Sequence, residues 1–180
     1  MRTRPANRHG WPGFYYQKDV GQFRMAGALQ GTRVIDMSRV LAGPWAGQLL
    51  ADYGADVIKI ERPGSGDDSR HWGPPWLQDG KGLDTPDAAY FLAANRNKRS
   101  VTCNLAHADG QQLVRDLVRG SDVLLENYRV GTLQRYGLDA ASLRELNPAL
   151  IYCSISAYRQ SGSRAGADDC QPGQLFGKPS

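Results

Sequence analysis

The side chains able to do chemistry concentrate in short stretches bordering apolar runs. Arg39 stands in SRVLAGP, Arg62 follows VIKIE, Arg96, Lys98 and Arg99 crowd into NRNKRS, and Asn127-Tyr128-Arg129 follows DVLLE. Guanidinium forks and amides suit the oxygens of a phosphorylated ligand, and an arginine such as Arg62 binds two oxygens where a lysine presents a point charge. Three cations in four residues at 96–99 suit phosphate in the same way, the alternative being a solvated charge run. Other chemistries have less to work with. The cysteines Cys103, Cys153 and Cys170 are odd in number and form no CxxC pair, so they read as buried or incidental thiols of a reducing compartment. The histidines His9, His71 and His107 lie far apart, and no metal site is expected.

The elements that must position these groups follow from hydrophobic period. Residues 33–37 read as a strand, and a loop holding Gly43-Pro44 follows. The helix after it is expected to carry Trp45, Leu49, Leu50 and Tyr53 on one face; Gly54 ends it, and a second strand spans 56–60. This is a β-α-β unit, whose first crossover loop lies at the carboxyl edge of the sheet, where open α/β sheets bind ligands. Residues 62–85 form a long polar loop with Pro63-Gly64, Gly73-Pro74-Pro75 and Asp79-Gly80 turns. Residues 87–94 read as a short helix with Asp87 in its first turn, 98–105 as a strand, and 109–120 as a helix burying Leu113, Val114, Leu117 and Val118. Residues 122–126 and 150–155 read as strands, with short helices at 131–136 and 140–146 between them and Asn147-Pro148 as the stop. Strands and helices in this alternation imply an α/β fold, a parallel sheet with helices on both faces. Asp52 and Asp56, which bracket the turn after the first helix, read as structural.

The 180 residues suffice for one compact domain, and no apolar run approaches the ~18 residues of a membrane span. The formal charge of +4 sits at one end. Residues 1–24 hold Arg2, Arg4, Arg8, Lys18 and Arg24 against Asp19, which leaves 17 basic and 17 acidic residues in the rest. A folded part without a basic surplus argues against a nucleic-acid partner. Residues 1–28 are expected to be a basic, disordered extension, with Met25 as the natural start. A mitochondrial transit peptide is the alternative to a cytoplasmic location. Residues 159–180, without period or apolar face, read as a disordered tail.

The run VIDMSRVLAGPWAGQLLADYGADVIKIERPGSGDDSR resembles the N-terminal signature of the class III CoA-transferases, the group of the formyl-CoA:oxalate, carnitine and succinyl-CoA:glutarate CoA-transferases. NRNKRS, DVLLENYRVGTLQRYGL and LNPALIYCSISAY match further blocks in order, so the resemblance covers residues 29–158. It implies a Rossmann-like domain, a homodimer of interlocked chains, and no permanent cofactor. Coenzyme A or its acyl thioester would be the substrate and a small carboxylic acid the acceptor. Carried over residue by residue, it places Val40, Leu41 and Ala42 on the first crossover loop against CoA. Arg62 would meet the nucleotide portion, and Cys103 and Ala106 would contact CoA after the third matched strand. Where some relatives carry a lysine this chain has Ala106, so one phosphate contact is expected to be missing. Asn127, Tyr128 and Arg129 would hold the CoA arm or base, with Arg135 on the helix that follows.

The chain departs from the family pattern after the last matched strand, where relatives read approximately GYGQxGP and this chain reads AYRQSGS. In relatives the nucleophilic aspartate lies well downstream, at a position expected to fall beyond Ser180, so no catalytic residue is assigned within the chain. Asp168 and Asp169 come too early to be it, and a truncated, incomplete fold, inactive alone, is expected. Two other readings stay open: a non-catalytic CoA-binding module, and an α-methylacyl-CoA racemase-type enzyme, against which the histidine-free tail argues.

Overall fold

The computed structural model describes residues 27–156. The basic segment 1–24 and the tail 159–180 lie outside the described residues. With the tail go Asp168, Asp169, Cys170 and Ser180, so the expectation that the family aspartate falls beyond Ser180 also lies outside them. Five strands form one parallel sheet: β1 (Arg33–Asp36), β2 (Asp56–Glu61), β5 (Arg99–Thr102), β6 (Val123–Glu126) and β7 (Ile151–Ser154). Their order is β5-β2-β1-β6-β7. The chain thus winds outward from β1 to one edge, returns, and winds outward to the other, so the order reverses between β1 and β6. Ligands of open α/β sheets bind at such a reversal.

Alternate residues of the central strands serve two cores. Ile35, Ile58, Ile60 and Leu124 point to the face covered by α3 (Ala108–Arg119) and α4 (Ala140–Leu146), where Val114, Val118 and Leu143 meet them fully buried. Val34, Val57 and Leu125 point to the other face, under α1 (Ala42–Asp52) and its Ala51. Helices therefore cover both faces, as the alternation of elements predicts. Asp139 caps α4 by accepting from the backbone of Ala141 and Ser142, and Asn147 ties its end to the Val118 and Ser121 carbonyls.

Helix α1 departs from expectation. Trp45, Leu49 and Tyr53 are 60%, 53% and 54% exposed, while Gly43, Pro44, Gly47, Gln48 and Ala51 are buried. The helix lies on its small residues because it rides directly over β1. A β-carbon at Gly43 would stand 2.2 Å from Cβ of Ser38, and one at Gly47 2.7 Å from a carboxylate oxygen of Asp36. The 62–85 segment also holds more order than its turns predict. A short 3-10 turn spans Asp68–His71, and β3 (Trp76–Gln78) pairs antiparallel with β4 (Asp84–Ala88). Asp87 belongs to β4 and pairs with Arg70 rather than opening a helix, and α2 (Ala89–Asn95) starts two residues later. A 3-10 turn at Leu133–Tyr136 stands where 131–136 predicts a short helix. No helix among the described residues is long and apolar enough to cross a membrane.

Candidate functional site

The carboxyl edge of the sheet brings together most of the residues that the sequence singles out. Glu61 pairs with Thr102 across β2 and β5, which sets Arg62 beside Cys103 at adjacent strand ends. Asp36 pairs with Leu125 across β1 and β6, which sets the 38–41 loop beside Asn127. The two loops at the reversal are stitched by one side chain. The amide of Asn127 accepts from the Arg39 backbone N–H at 2.8 Å and donates to the Arg39 carbonyl at 2.8 Å. The Arg39 guanidinium lies 5.2 Å from the centre of the Tyr128 ring, inside cation–π range. Burial pushes the Tyr128 hydroxyl above its ordinary pKa, against the pull of the Arg39 and Arg62 charges, so the side chain stands as a neutral phenol.

These cations differ in how free they are. Arg39 meets Asp68 at 3.6 Å and keeps a buried Nε without a hydrogen-bond partner. Arg62 is exposed and forms no salt bridge among the described residues. The sequence leaves a surface ion pair of Arg62 with Asp67 or Asp68 as its alternative role, but Asp67 is taken by Lys59 and Asp68 by Arg39.

The NRNKRS segment is a correction. Its cations are committed to carboxylates, not presented to a ligand. Arg96 binds Asp52, Arg99 binds Asp56 through both carboxylate oxygens, and Asn97 donates to Asp52 at 2.7 Å. Lys98 is neither a phosphate ligand nor a solvated charge. Its side chain is 2% exposed and Nζ meets Asp36, Asn95 and the Pro44 carbonyl at 2.6–2.8 Å. Asp52 and Asp56 are structural, as expected, because they anchor this segment.

The remaining positions spread along the same edge. The Cys103 thiol is buried, donates to the Gly110 carbonyl at 3.2 Å, and is pushed up in pKa by burial, so it is a poor nucleophile at neutral pH. Ala106 is exposed on the loop that leads into α3, and Arg129 and Arg135 are exposed beyond β6. Val40 bends the first crossover loop with φ +72°, a left-handed conformation costly for a β-branched residue. Leu41 then starts α1 without a side-chain cap.

Groups the sequence reading passed over hold this edge together. Lys59, buried within the apolar run VIKI, donates to the Ser38 carbonyl at 2.8 Å and pairs with Asp67 at 2.8 Å. Asp67 accepts in turn from the Val40 and Ser69 backbones. Glu61 takes a two-pronged grip from Arg70, at 2.7 Å on each oxygen, and accepts from the Asp67 N–H. Glu126, at the end of β6, accepts from the Tyr128 N–H at 2.7 Å, and burial raises its pKa. For Lys59, Glu61 and Glu126 the signal that could have found them is a charged residue inside a buried strand, which must be paired. No group of three or more His, Cys, Asp or Glu that could hold a metal occurs among the described residues.

Comparison with known proteins points to one family. The model of CoA-transferase family III matches residues 29–172. The chain is 56% identical over 137 residues to a succinate–glutarate CoA-transferase of Agrobacterium fabrum, covering 76% of this chain and 34% of that protein. It is 40% identical over 148 residues to a formyl-CoA:oxalate CoA-transferase of Escherichia coli, covering 82% of this chain and 32% of that one. The crystal structure of a CAIB/BAIF family protein from Brucella suis superposes with a TM-score of 0.74 at 48% identity, over 79% of this chain and 37% of the other. The chain thus spans about a third of the length of the curated relatives it matches.

Proposed function

Because the chain belongs to CoA-transferase family III, we propose that it carries the CoA-binding side of an enzyme moving CoA from an acyl thioester to a small carboxylic acid. The observation that carries this reading is the convergence at the strand-order reversal. Arg39 lies over the Tyr128 ring, Asn127 locks the two loops in register, and Arg62, at the end of β2 on the same sheet edge, is held by no carboxylate among the described residues. Arg62 takes a phosphate of the nucleotide portion, and the Val40–Ala42 turn with Asn127 and Tyr128 lines the path of the pantetheine arm. Cys103 supports the wall from beneath, and Ala106, Arg129 and Arg135 border the nucleotide end. Coenzyme A enters as substrate, in line with relatives whose names state CoA transfer.

Attack on the acyl thioester needs a nucleophile, which the family resemblance assigns to an aspartate downstream of the last matched block. The reading therefore assigns the described residues to the binding of CoA, and assigns turnover to a homodimer of full family length. Isothermal titration of the 180-residue chain with CoA tests it. Saturable binding is expected in the wild type, weakened about tenfold or more by Arg62→Ala, the loss of one charge-assisted phosphate contact. Heat changes indistinguishable from dilution would overturn the assignment.

A further inference from the structure

The crossover loop at the site is bent against its own preference. Val40 sits at φ +72°, and a β-branched residue there persists only where its surroundings over-determine it. Those surroundings are two buried, oppositely charged side chains. Lys59 and Asp67 are each 1% exposed at the side chain and meet at 2.8 Å. They grip the loop from either side of its bend. Lys59 donates to the carbonyl of Ser38 at 2.8 Å, and the Asp67 carboxylate accepts from the N–H of Val40 at 3.2 and 3.3 Å to its two oxygens. Asp67 is itself fixed, because its N–H is held by Glu61, and Ser69 donates to it from both backbone and hydroxyl. Every group facing the Asp67 carboxylate in this set is a donor. Burial works to raise its pKa, but Lys59 and Ser69 hold it below the ordinary value, so it is ionised at neutral pH.

We propose that the Lys59–Asp67 pair is a positioning device for CoA binding: two residues out of reach of any ligand set the shape of the Ser38–Val40 turn, and through it the affinity of the site. This rests on the CoA reading above. A buried ion pair is weak ground for stability, since well-packed apolar replacements of both partners are often neutral or better. What the pair does contribute is the bend it enforces.

That property supplies the test. Single Asp67→Ala leaves the Lys59 charge buried without its partner and is expected to unfold the chain. The paired replacement Lys59→Met with Asp67→Leu roughly keeps the heavy-atom shape of both side chains and removes both grips. We expect it to melt close to the wild type while its CoA dissociation constant rises about tenfold or more. A folded double variant with wild-type affinity would overturn the proposal. A second measurement stands without any variant. Amide hydrogen exchange at Val40 should be slow despite its position in a loop, and unprotected exchange there would also overturn it. If the wild type itself does not bind CoA, the CoA reading falls. The grip on the loop is then judged by the Val40 amide alone.

Discussion

The two faces of β1 are built on different physics. On the α3 and α4 side the strand shares an apolar core with Val114, Val118 and Leu143. Toward its carboxyl end and under α1 it meets charges: Asp36 with Lys98, then Lys59 with Asp67, then Glu61 with Arg70. Apolar packing is tolerant of shape changes that conserve volume, whereas a buried ion pair is intolerant of losing one member. Geometric precision is therefore unevenly placed. It sits under the loops that form the candidate site, and the opposite face supplies bulk burial.

The comparison can be broken most forcefully at Lys98. Lys98→Met leaves Asp36 charged and enclosed, and a loss of about 3–5 kcal/mol is expected by urea unfolding, as for other half-removed buried pairs. Adding Asp36→Leu should recover most of that loss. If the single replacement is nearly neutral, the charged face is not the intolerant one. On the apolar face, Leu143→Ala is expected to cost about 2–5 kcal/mol, and Leu143→Met under about 1.5 kcal/mol, since there volume is the only requirement.

Acid probes the charged face through two of its carboxylates. Asp67 and Glu61 both have folded pKa values held below their unfolded ones, so their contribution is present above the unfolded carboxylate range and is lost as pH falls through the folded values. Glu126 runs the other way. Its raised pKa favours the neutral form, a contribution complete below the unfolded value and lost as pH rises through the folded one. Chemical denaturation between about pH 5 and pH 2 should therefore show falling stability in the wild type. The slope should flatten in the Lys59→Met, Asp67→Leu variant, and an unchanged slope would remove Asp67 from the account. The smallest effect belongs at the rim. Arg99 and Asp56 are 52% and 40% exposed, and Arg99→Ala is expected to cost under about 1 kcal/mol in a thermal melt.

Much of the scaffold was legible because period reports burial. The central strands and α3 follow from runs such as VIKIE and DVLLE and from apolar spacing at 113, 114, 117 and 118. The same logic failed for α1, since Trp45, Leu49 and Tyr53 carry the apolar signal while Gly43, Gly47 and Ala51 carry the packing. Small residues mark close approach, which hydropathy does not weigh. The β3–β4 hairpin was hidden because Asp84–Ala88 contains a proline and two aspartates and shows no apolar alternation. At the candidate site, Asn127 and Arg62 were singled out by their places after strands. Lys59 was overlooked although a charge inside a buried strand calls for a partner, and Asp67, outside any strand, leaves no local pattern that marks it as that partner. Lys98 was misread for a related reason: its burial depends on Asp36, 62 positions away.

In the proposed reading, CoA is held at the reversal of strand order by loops fixed from beneath. An amide NMR titration of the 180-residue chain with CoA tests this most directly. We expect saturable shifts concentrated at Ser38–Leu41, Arg62 and Asn127–Arg129, with α4 and the far end of α3 silent. Shifts concentrated on α3 and α4, or none at millimolar CoA, would contradict it.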